Sequence, residues 1–380
     1  MVIGNPPYFK YEANHKGEIE ELKKQEELKI SFGGKLNAYK LFLAKAISSL
    51  TCENGLVVYI FQNSFLGDLQ AYILRKAVIE DNQLISIDSF PERDNVKKRV
   101  FESVKMSVCI PIIRKKNTHN DFIVNFWEDK NKAKGFSTIF NRDVIISIDP
   151  DKYTIPKIQN EEMSILTKLL KFKRLPLKCW EGELNMTFHK SYFTSDAKNP
   201  PILKGASIQR YYFTEKMSQG VIEYLCESRY LQDFSGEKCE HHKFERIAMQ
   251  GMTGANDKIR LVMALIPEGI YLANSCNYLL PTKEFPSKYL LGLMNSKLTN
   301  WFFRCFSTNS NVNGYEVEKT PIPTATSAQQ QEIVTLVDKI LLAKKQDSAY
   351  DTTDLERKID RLVYELYGLT EEEIKIIENK

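Results

Sequence analysis

Val2-Ile3-Gly4-Asn5-Pro6-Pro7-Tyr8 is the stretch on which the reading of this chain turns. An apolar strand end runs straight into Asn-Pro-Pro-aromatic. Two consecutive prolines fix their own φ angles, restrict the residue before them and remove two backbone donors. The segment therefore predicts a rigid turn at the carboxyl end of a strand. In an open α/β sheet, that end of the strands is where ligands bind.

Outward from this turn, the first 160 residues alternate helix and strand signals. Lys16 to Lys29 is a charged stretch that reads as an exposed helix or loop. Leu36, Tyr39, Leu43, Ala46, Ile47 and Leu50 share one helical face. Gly55 closes that segment, and Leu56-Val57-Val58-Tyr59-Ile60-Phe61 reads as a buried strand. A helix over 69–79 precedes two more strands, at 84–88 and 106–113, with no helix between them, which suits an antiparallel pair. This pattern predicts an α/β layered sheet.

Residues 161–325 give short strand-like runs, many turns and one helix over Tyr289–Phe303, and read as a separate α+β domain. Residues 326–380 read as a helical hairpin. Ser327-x-x-Gln330, Thr353-x-x-Glu356 and Thr370-x-x-Glu373 each have the capping-box spacing, and Gly368 suits a helix stop.

The 380 residues suit two or three domains, and a hydrophobic content of 43% is enough for packed cores. No run approaches the roughly 18–20 apolar residues of a membrane span, and no secretory signal opens the chain, so a cytoplasmic protein with no membrane partner is expected. The seven cysteines form no Cys-x-x-Cys pair, which argues against a disulfide framework. Cys239, His241 and His242 cluster, but their spacing matches no zinc motif, and no metal site is assigned. A net charge of +4 is mildly basic and decides nothing alone.

Asn-Pro-Pro-Tyr has a specific chemical use. An exocyclic aromatic amine is a poor nucleophile because its lone pair is delocalised into the ring. Its two N–H groups can donate to the Asn5 side-chain oxygen and to a main-chain carbonyl held beside it, such as that of Pro6. This localises the lone pair and aims it at an electrophilic methyl group. Positive charge then develops on the nitrogen, where the oxygen dipoles stabilise it. A base inside a duplex must first be flipped out, and Tyr8 offers it a π face. Alone, the tetrapeptide is also compatible with an ordinary turn.

The first block resembles the gamma-class (Taq-like and Eco57I-like) adenine-specific DNA methyltransferases of type II restriction–modification systems. Asn37-Ala38-Tyr39-Lys40-Leu41-Phe42-Leu43, Gly55 to Leu66, Leu74-Arg75, and Val100-Phe101-Glu102 with the strand after it look like successive motifs of that family. The resemblance implies that Phe101 is a second aromatic wall for the flipped adenine. The middle block resembles the family's target-recognition domain through 201–211, 289–298 and Pro321-Ile322-Pro323. The fold expected is therefore α/β, a partial Rossmann-like methyltransferase sheet followed by an α+β target-recognition domain and a C-terminal helical segment.

By resemblance the chain is an S-adenosyl-L-methionine-using enzyme acting on double-stranded DNA. Asn5, Pro6 and Tyr8 are its expected catalytic residues. Lys204, Arg210, Lys243, Arg246, Lys258 and Arg260 are its expected phosphate contacts, and the polar loops 250–258 and 309–313 its expected base readers. Taken singly, each of these residues is more often just a solvated surface group.

The departure from the family is at the cofactor. The family's cofactor site precedes the catalytic loop, and no Gly-rich strand–turn follows it here. No cofactor-binding residue is assigned, and the chain is expected to be inactive alone: a fragment, a truncated product, or one half of a split enzyme whose partner is the N-terminal methyltransferase half. A nuclease partner domain is also an expectation, but Pro150-Asp151 and the Glu-x-Lys triplets at 21–23, 356–358 and 373–375 lack nuclease spacing. The alternative is a DNA sequence-recognition module without catalysis. Cytosine-N4, RNA and protein amide substrates use related loops.

Overall fold

The computed structural model describes residues 1–116, 119–214, 222–254, 257–307 and 310–380. Two compact units form. One comprises Met1–Met163 with Cys305–Asn309, the other Ser164–Arg304 with Ser310–Lys380.

Unit 1 is built on a seven-stranded mixed sheet. Its strands are β1 (Val2–Gly4), β2 (Leu56–Tyr59), β3 (Phe61–Gln62), β4 (Gln83–Phe90), β5 (Val108–Arg114), β6 (Asp121–Trp127) and β7 (Gly135–Asn141). The order is β1-β2-β5-β4-β6-β7, with β3 also on β5. β1 runs parallel to β2 in the register Val2↔Val57, Ile3↔Val58 and Gly4↔Tyr59. A parallel pair needs a crossover, and the chain supplies it with helix Ala38–Lys45, which continues through one wide turn to Leu50. β4 and β5 are antiparallel, as their direct succession implies.

Two strands, β6 and β7, extend the sheet beyond the three read from the sequence around the loop. Their alternation is present in the chain: Phe122, Val124 and Phe126 turn inward while Asp121 and Ile123 face out. At the other end β1 is an edge, with Ile3 67% exposed.

Inside unit 1, the fully buried Arg75 acts as a clamp. Nη1 donates to the Phe65 carbonyl at 2.7 Å, and Nη2 to the carbonyls of Asp68 and Lys152, each at 2.8 Å. These bonds fix the segment that follows β3. The Lys40 ammonium is buried too and donates to the Gln70 carbonyl at 2.6 Å. Burial pulls its pKa down to about 8.

Unit 2 contains a four-stranded antiparallel sheet in the order 263–266, 246–250, 276–279, 179–181. A second four-stranded sheet is formed by 193–194, 223–225, 201–203 and 271–272. The single helix expected over 289–303 is two, Ser287–Asn295 and Lys297–Phe306. The break has a local cause. Ser296 takes an extended backbone, its Oγ accepts from Thr299 N at 3.3 Å, and Lys297 N donates to the Asp360 carboxylate at 2.8 Å.

The C-terminal helices Ser327–Gln346, Thr353–Leu366 and Glu371–Glu378 belong to the same unit. Of the three expected caps, Thr370 with Glu373 forms as read. The first shifts by one residue, to Thr326 with Gln329. The second does not form: Thr352 takes the N-cap position and Thr353 is already inside the helix, while Glu356 accepts from Thr352 Oγ1 at 2.7 Å and pairs with Arg210. Gly292 lets these helices approach: a Cβ there would lie 2.6 Å from Ile333 Cγ2. Among the described residues no helix is long and apolar enough to cross a membrane.

Gly182, just past strand 179–181, has no room for a side chain. A Cβ would sit 2.0 Å from the Ala273 carbonyl oxygen. Backbone on both sides cannot yield cheaply, so Gly182→Ala is expected to lower the unfolding free energy by roughly 2–3 kcal/mol. Urea unfolding followed by circular dichroism measures it, and an unchanged midpoint would contradict this packing.

Candidate functional site

The loop after β1 is registered by backbone bonds before any side chain acts. Ile60 N donates to the Gly4 carbonyl at 3.1 Å. A Cβ on Gly4 would meet Tyr59 Cε1 at 2.9 Å, so glycine permits the close pairing. The turn then exposes Asn5 and Pro7, buries Pro6 and half-buries Tyr8. Tyr8 Oη donates to the Ile60 carbonyl at 3.2 Å, which fixes its ring. Burial, with Cys109 adding, pushes the phenol up to about 12, so it stays protonated and keeps donating at neutral pH.

Phe101 is brought beside Tyr8. The ring centroids lie 6.0 Å apart with an interplanar angle of 71°. This is an edge-to-face contact, so the two rings are neighbours but do not form parallel walls.

A cleft of about 870 Å³ lies beside the loop, lined among others by Lys10, Tyr11, Lys16, Lys35, Asn37 and Gln62. Lys10, Lys16 and Lys35 are exposed. The sequence reading had not singled them out.

In unit 2 the six expected phosphate contacts separate by environment. Arg246 is fully buried (0% exposed) and Arg260 nearly so, at 1%. Neither can reach a phosphate, and those two assignments are corrected. Arg246 donates to the carbonyls of His241 at 2.6 Å and Ile270 at 2.8 Å. Its Nη2 also approaches Glu183 Oε1 at 2.7 Å, but in a direction that leaves that oxygen without an aligned donor. The contact is thus ionic rather than a formed hydrogen bond. Burial raises the Glu183 pKa and lowers that of Arg246, so desolvation outweighs attraction in both partners.

Arg260 is a latch. Nε donates to Thr253 Oγ1 at 2.7 Å and Nη2 to the Asn311 carbonyl at 3.2 Å. It joins the loop after strand 246–250 to the segment 310–313. Met252 also bridges to Asn311, and Val312 N donates to the Gly251 carbonyl at 3.0 Å. The two stretches expected to read bases therefore lie side by side. Of those expected readers, Ala255, Asn256 and Asn309 lie outside the described residues.

Lys204 pairs with Glu223 at 2.6 Å, Arg210 with Glu356 at 2.5 Å, and Lys243 with Glu240 at 2.5 Å. Lys258 alone of the six is exposed with no ion-pair partner among the described residues. The Cys239–His242 cluster is part of the packing: His241 Nδ1 lies 2.7 Å from the Tyr278 hydroxyl, and His242 Nδ1 2.8 Å from the Cys239 carbonyl.

Residues 1–96 match the family of Eco57I restriction-modification methylases, and residues 200–322 match the TaqI-like C-terminal specificity domain. No curated protein sequence matches the chain. Among solved structures, the chain is similar in fold to the type IIL restriction-modification enzyme MmeI, solved in complex with DNA. There 99% of this chain aligns with 55% of that one at 12% identity and a TM-score of 0.62. The chain thus spans about half of MmeI's length. The type ISP enzyme LlaBIII, solved bound to DNA, aligns over 90% of this chain and 29% of its own at 10% identity, with a TM-score of 0.49.

The burial of Arg246 gives it a structural task that can be tested. Arg246→Met leaves Glu183 buried without a countercharge, and is expected to cost about 3–5 kcal/mol of stability. Arg246→Met with Glu183→Leu should recover most of that loss in urea unfolding. A single variant that melts like the wild type would overturn this assignment.

Proposed function

We propose that this chain, which joins a segment of the Eco57I restriction-modification methylase type to a TaqI-like specificity domain, serves a DNA adenine-N6 methyltransferase: unit 1 holds the target amine and unit 2 docks the DNA. The observation that carries the reading is Asn5, exposed at the carboxyl end of β1 with no side-chain hydrogen bond among the described residues, followed by a buried Pro6 and an anchored Tyr8.

The amine of a flipped adenine donates one N–H to Asn5 Oδ1 and the other to the Pro6 carbonyl. The Pro6 carbonyl needs no reorganisation, because the prolines hold the backbone, while the Asn5 amide turns to meet the amine. The lone pair of the nitrogen is then free to attack, and the two oxygens face the positive charge that develops on it. Tyr8 supplies a fixed π face. Phe101, edge-on to Tyr8, must rotate about its side-chain torsions to offer a second face. The excess proton leaves from the methylated nitrogen to solvent, since an amide and a peptide carbonyl are not bases. Turning adenine out of the stack costs a few kcal/mol, which DNA contacts from unit 2 must offset.

S-adenosyl-L-methionine supplies an electrophilic methyl group when bound to such enzymes. The cleft adjoining Asn5 is lined by Lys10, Lys16, Lys23 and Lys35 and also by Glu12, Glu20 and Asp68, a mixed charge that selects neither a sulfonium nor a phosphodiester. No cofactor contact is therefore assigned to these residues.

Two measurements test the reading. In cells expressing the complete restriction–modification system, Asn5→Ala is expected to lower N6-methyladenine in digested genomic DNA by about a hundred- to a thousandfold, the range for loss of one preorganised dipole. Duplex binding by the purified variant should stay within twofold. Unchanged N6-methyladenine, or loss of N4-methylcytosine instead, would refute adenine as the target. In the second, calorimetric titration of S-adenosyl-L-methionine into the purified chain is expected to give no binding heat, with or without duplex DNA. Micromolar binding would show that the chain holds the cofactor by itself and would overturn the expectation of inactivity alone.

A further inference from the structure

One end of the antiparallel sheet in unit 2 gathers several loops. Strand 246–250 ends there at Gln250, paired with Cys276 at the start of strand 276–279, and strand 179–181 ends there at Glu181, paired with Asn277. Backbone bonds then lock the connections together. Gly182 N donates to the Cys276 carbonyl at 2.9 Å, Asn274 N to the Leu184 carbonyl at 2.7 Å, and Gly251 N to the Ser275 carbonyl at 2.8 Å. The latch through Arg260 adds the segment 310–313 to the same end.

This rim carries an aromatic ring that the packing uses only in part: Phe188 meets His189 and Phe234 edge-on, at centroid distances of 5.0 and 6.1 Å. Phe188 is 70% exposed, yet its backbone is tightly held. The Asn185 Oδ1 accepts from Thr187 N at 3.0 Å and Phe188 N at 2.9 Å. Asn185 N donates to His189 Nδ1 at 3.0 Å, and His189 N to the Asn185 carbonyl at 2.9 Å. His189 is itself wedged edge-on against Phe234 and Tyr230, with centroids 4.8 and 5.4 Å away. An aspartate-like turn, braced from below by a buried imidazole, thus projects a phenyl ring into solvent. One exposed lysine without an ion-pair partner among the described residues, Lys190, stands next to the turn.

We propose that Phe188 is a base-stacking residue: its ring inserts against an unstacked base of duplex DNA docked on this rim, with Lys190 on a flanking phosphate. The inference rests on the reading of unit 2 as a DNA-docking domain. A solitary exposed apolar side chain on a mobile loop needs no explanation. Here the turn has already lost the conformational freedom that binding would otherwise remove, and the charge beside the ring complements a phosphate backbone. Apolar side chains that enter a base step, and aromatic rings that stack on splayed bases, are recurrent uses of such a group.

The test starts by enriching bound duplexes from a random-sequence pool with the wild-type chain, then measures affinity for the enriched duplex by fluorescence anisotropy. Phe188→Ala is expected to bind about tenfold more weakly, with the slope of affinity against salt and the thermal melt both unchanged. Phe188→Trp should bind within threefold of wild type, and Lys190→Gln should reduce the salt slope. Equal affinity of Phe188→Ala and wild type would overturn the proposal and leave the ring to a protein partner. A loss that Trp does not restore, or that comes with a lowered melt, would also overturn it by making Phe188 structural. Failure of the wild-type chain to enrich any duplex would instead remove the DNA-docking reading itself.

Discussion

The parallel pairing of β1 with β2 is the constraint on which the candidate site depends. A strand of three residues has little hold of its own. It is fixed by register with Val57, Val58 and Tyr59, and Ile60 then reaches back to Gly4 through its N–H and to Tyr8 through its carbonyl. One short stretch of β2 thereby sets both where Asn5 stands and which way the Tyr8 ring faces. The prolines make this economical: with their φ angles fixed, only a few torsions remain to be ordered between Gly4 and Tyr8.

Buried cations do comparable work elsewhere. Arg75 in unit 1 and Arg246 and Arg260 in unit 2 give up hydration and recover it from backbone carbonyls of loops that carry few partners of their own. Guanidinium suits this role because its donors are planar and spread in fixed directions, so one side chain can hold several strands of backbone at once. Desolvation lowers the pKa of Arg246 and Arg260, without bringing a group with so high an intrinsic value near neutrality. The result is polar loops held in place by groups that cannot themselves face a ligand.

A large part of the architecture was legible from spacing. The helix from Ala38, the strand at 56–59 and the antiparallel 83–90 and 108–114 pair follow from periodicity and connection length. The Thr370–Glu373 cap forms as its spacing implies. The strands at 121–127 and 135–141 carry a clear period of two, and they show that alternation after a dense charged stretch is easily passed over. The helix break at Ser296 was not legible, because Ser is tolerated in helices. What ends the helix is the distant Asp360, which takes the Lys297 N–H.

Sequence alone determined the chemistry on offer in the loop: Asn-Pro-Pro-Tyr specifies a rigid turn with an amide oxygen and an aromatic face, because these are properties of the residues and their neighbours. It could not decide which cations are available to a ligand. Lys258 and Arg260 stand two positions apart with the same charge, yet one is exposed and the other is 1% exposed beneath Thr253 and Asn311. Nor could it show that Phe188 stands in solvent while the neighbouring His189 is buried. Burial is settled by contacts between residues far apart in the chain, and only the tertiary structure brings those together.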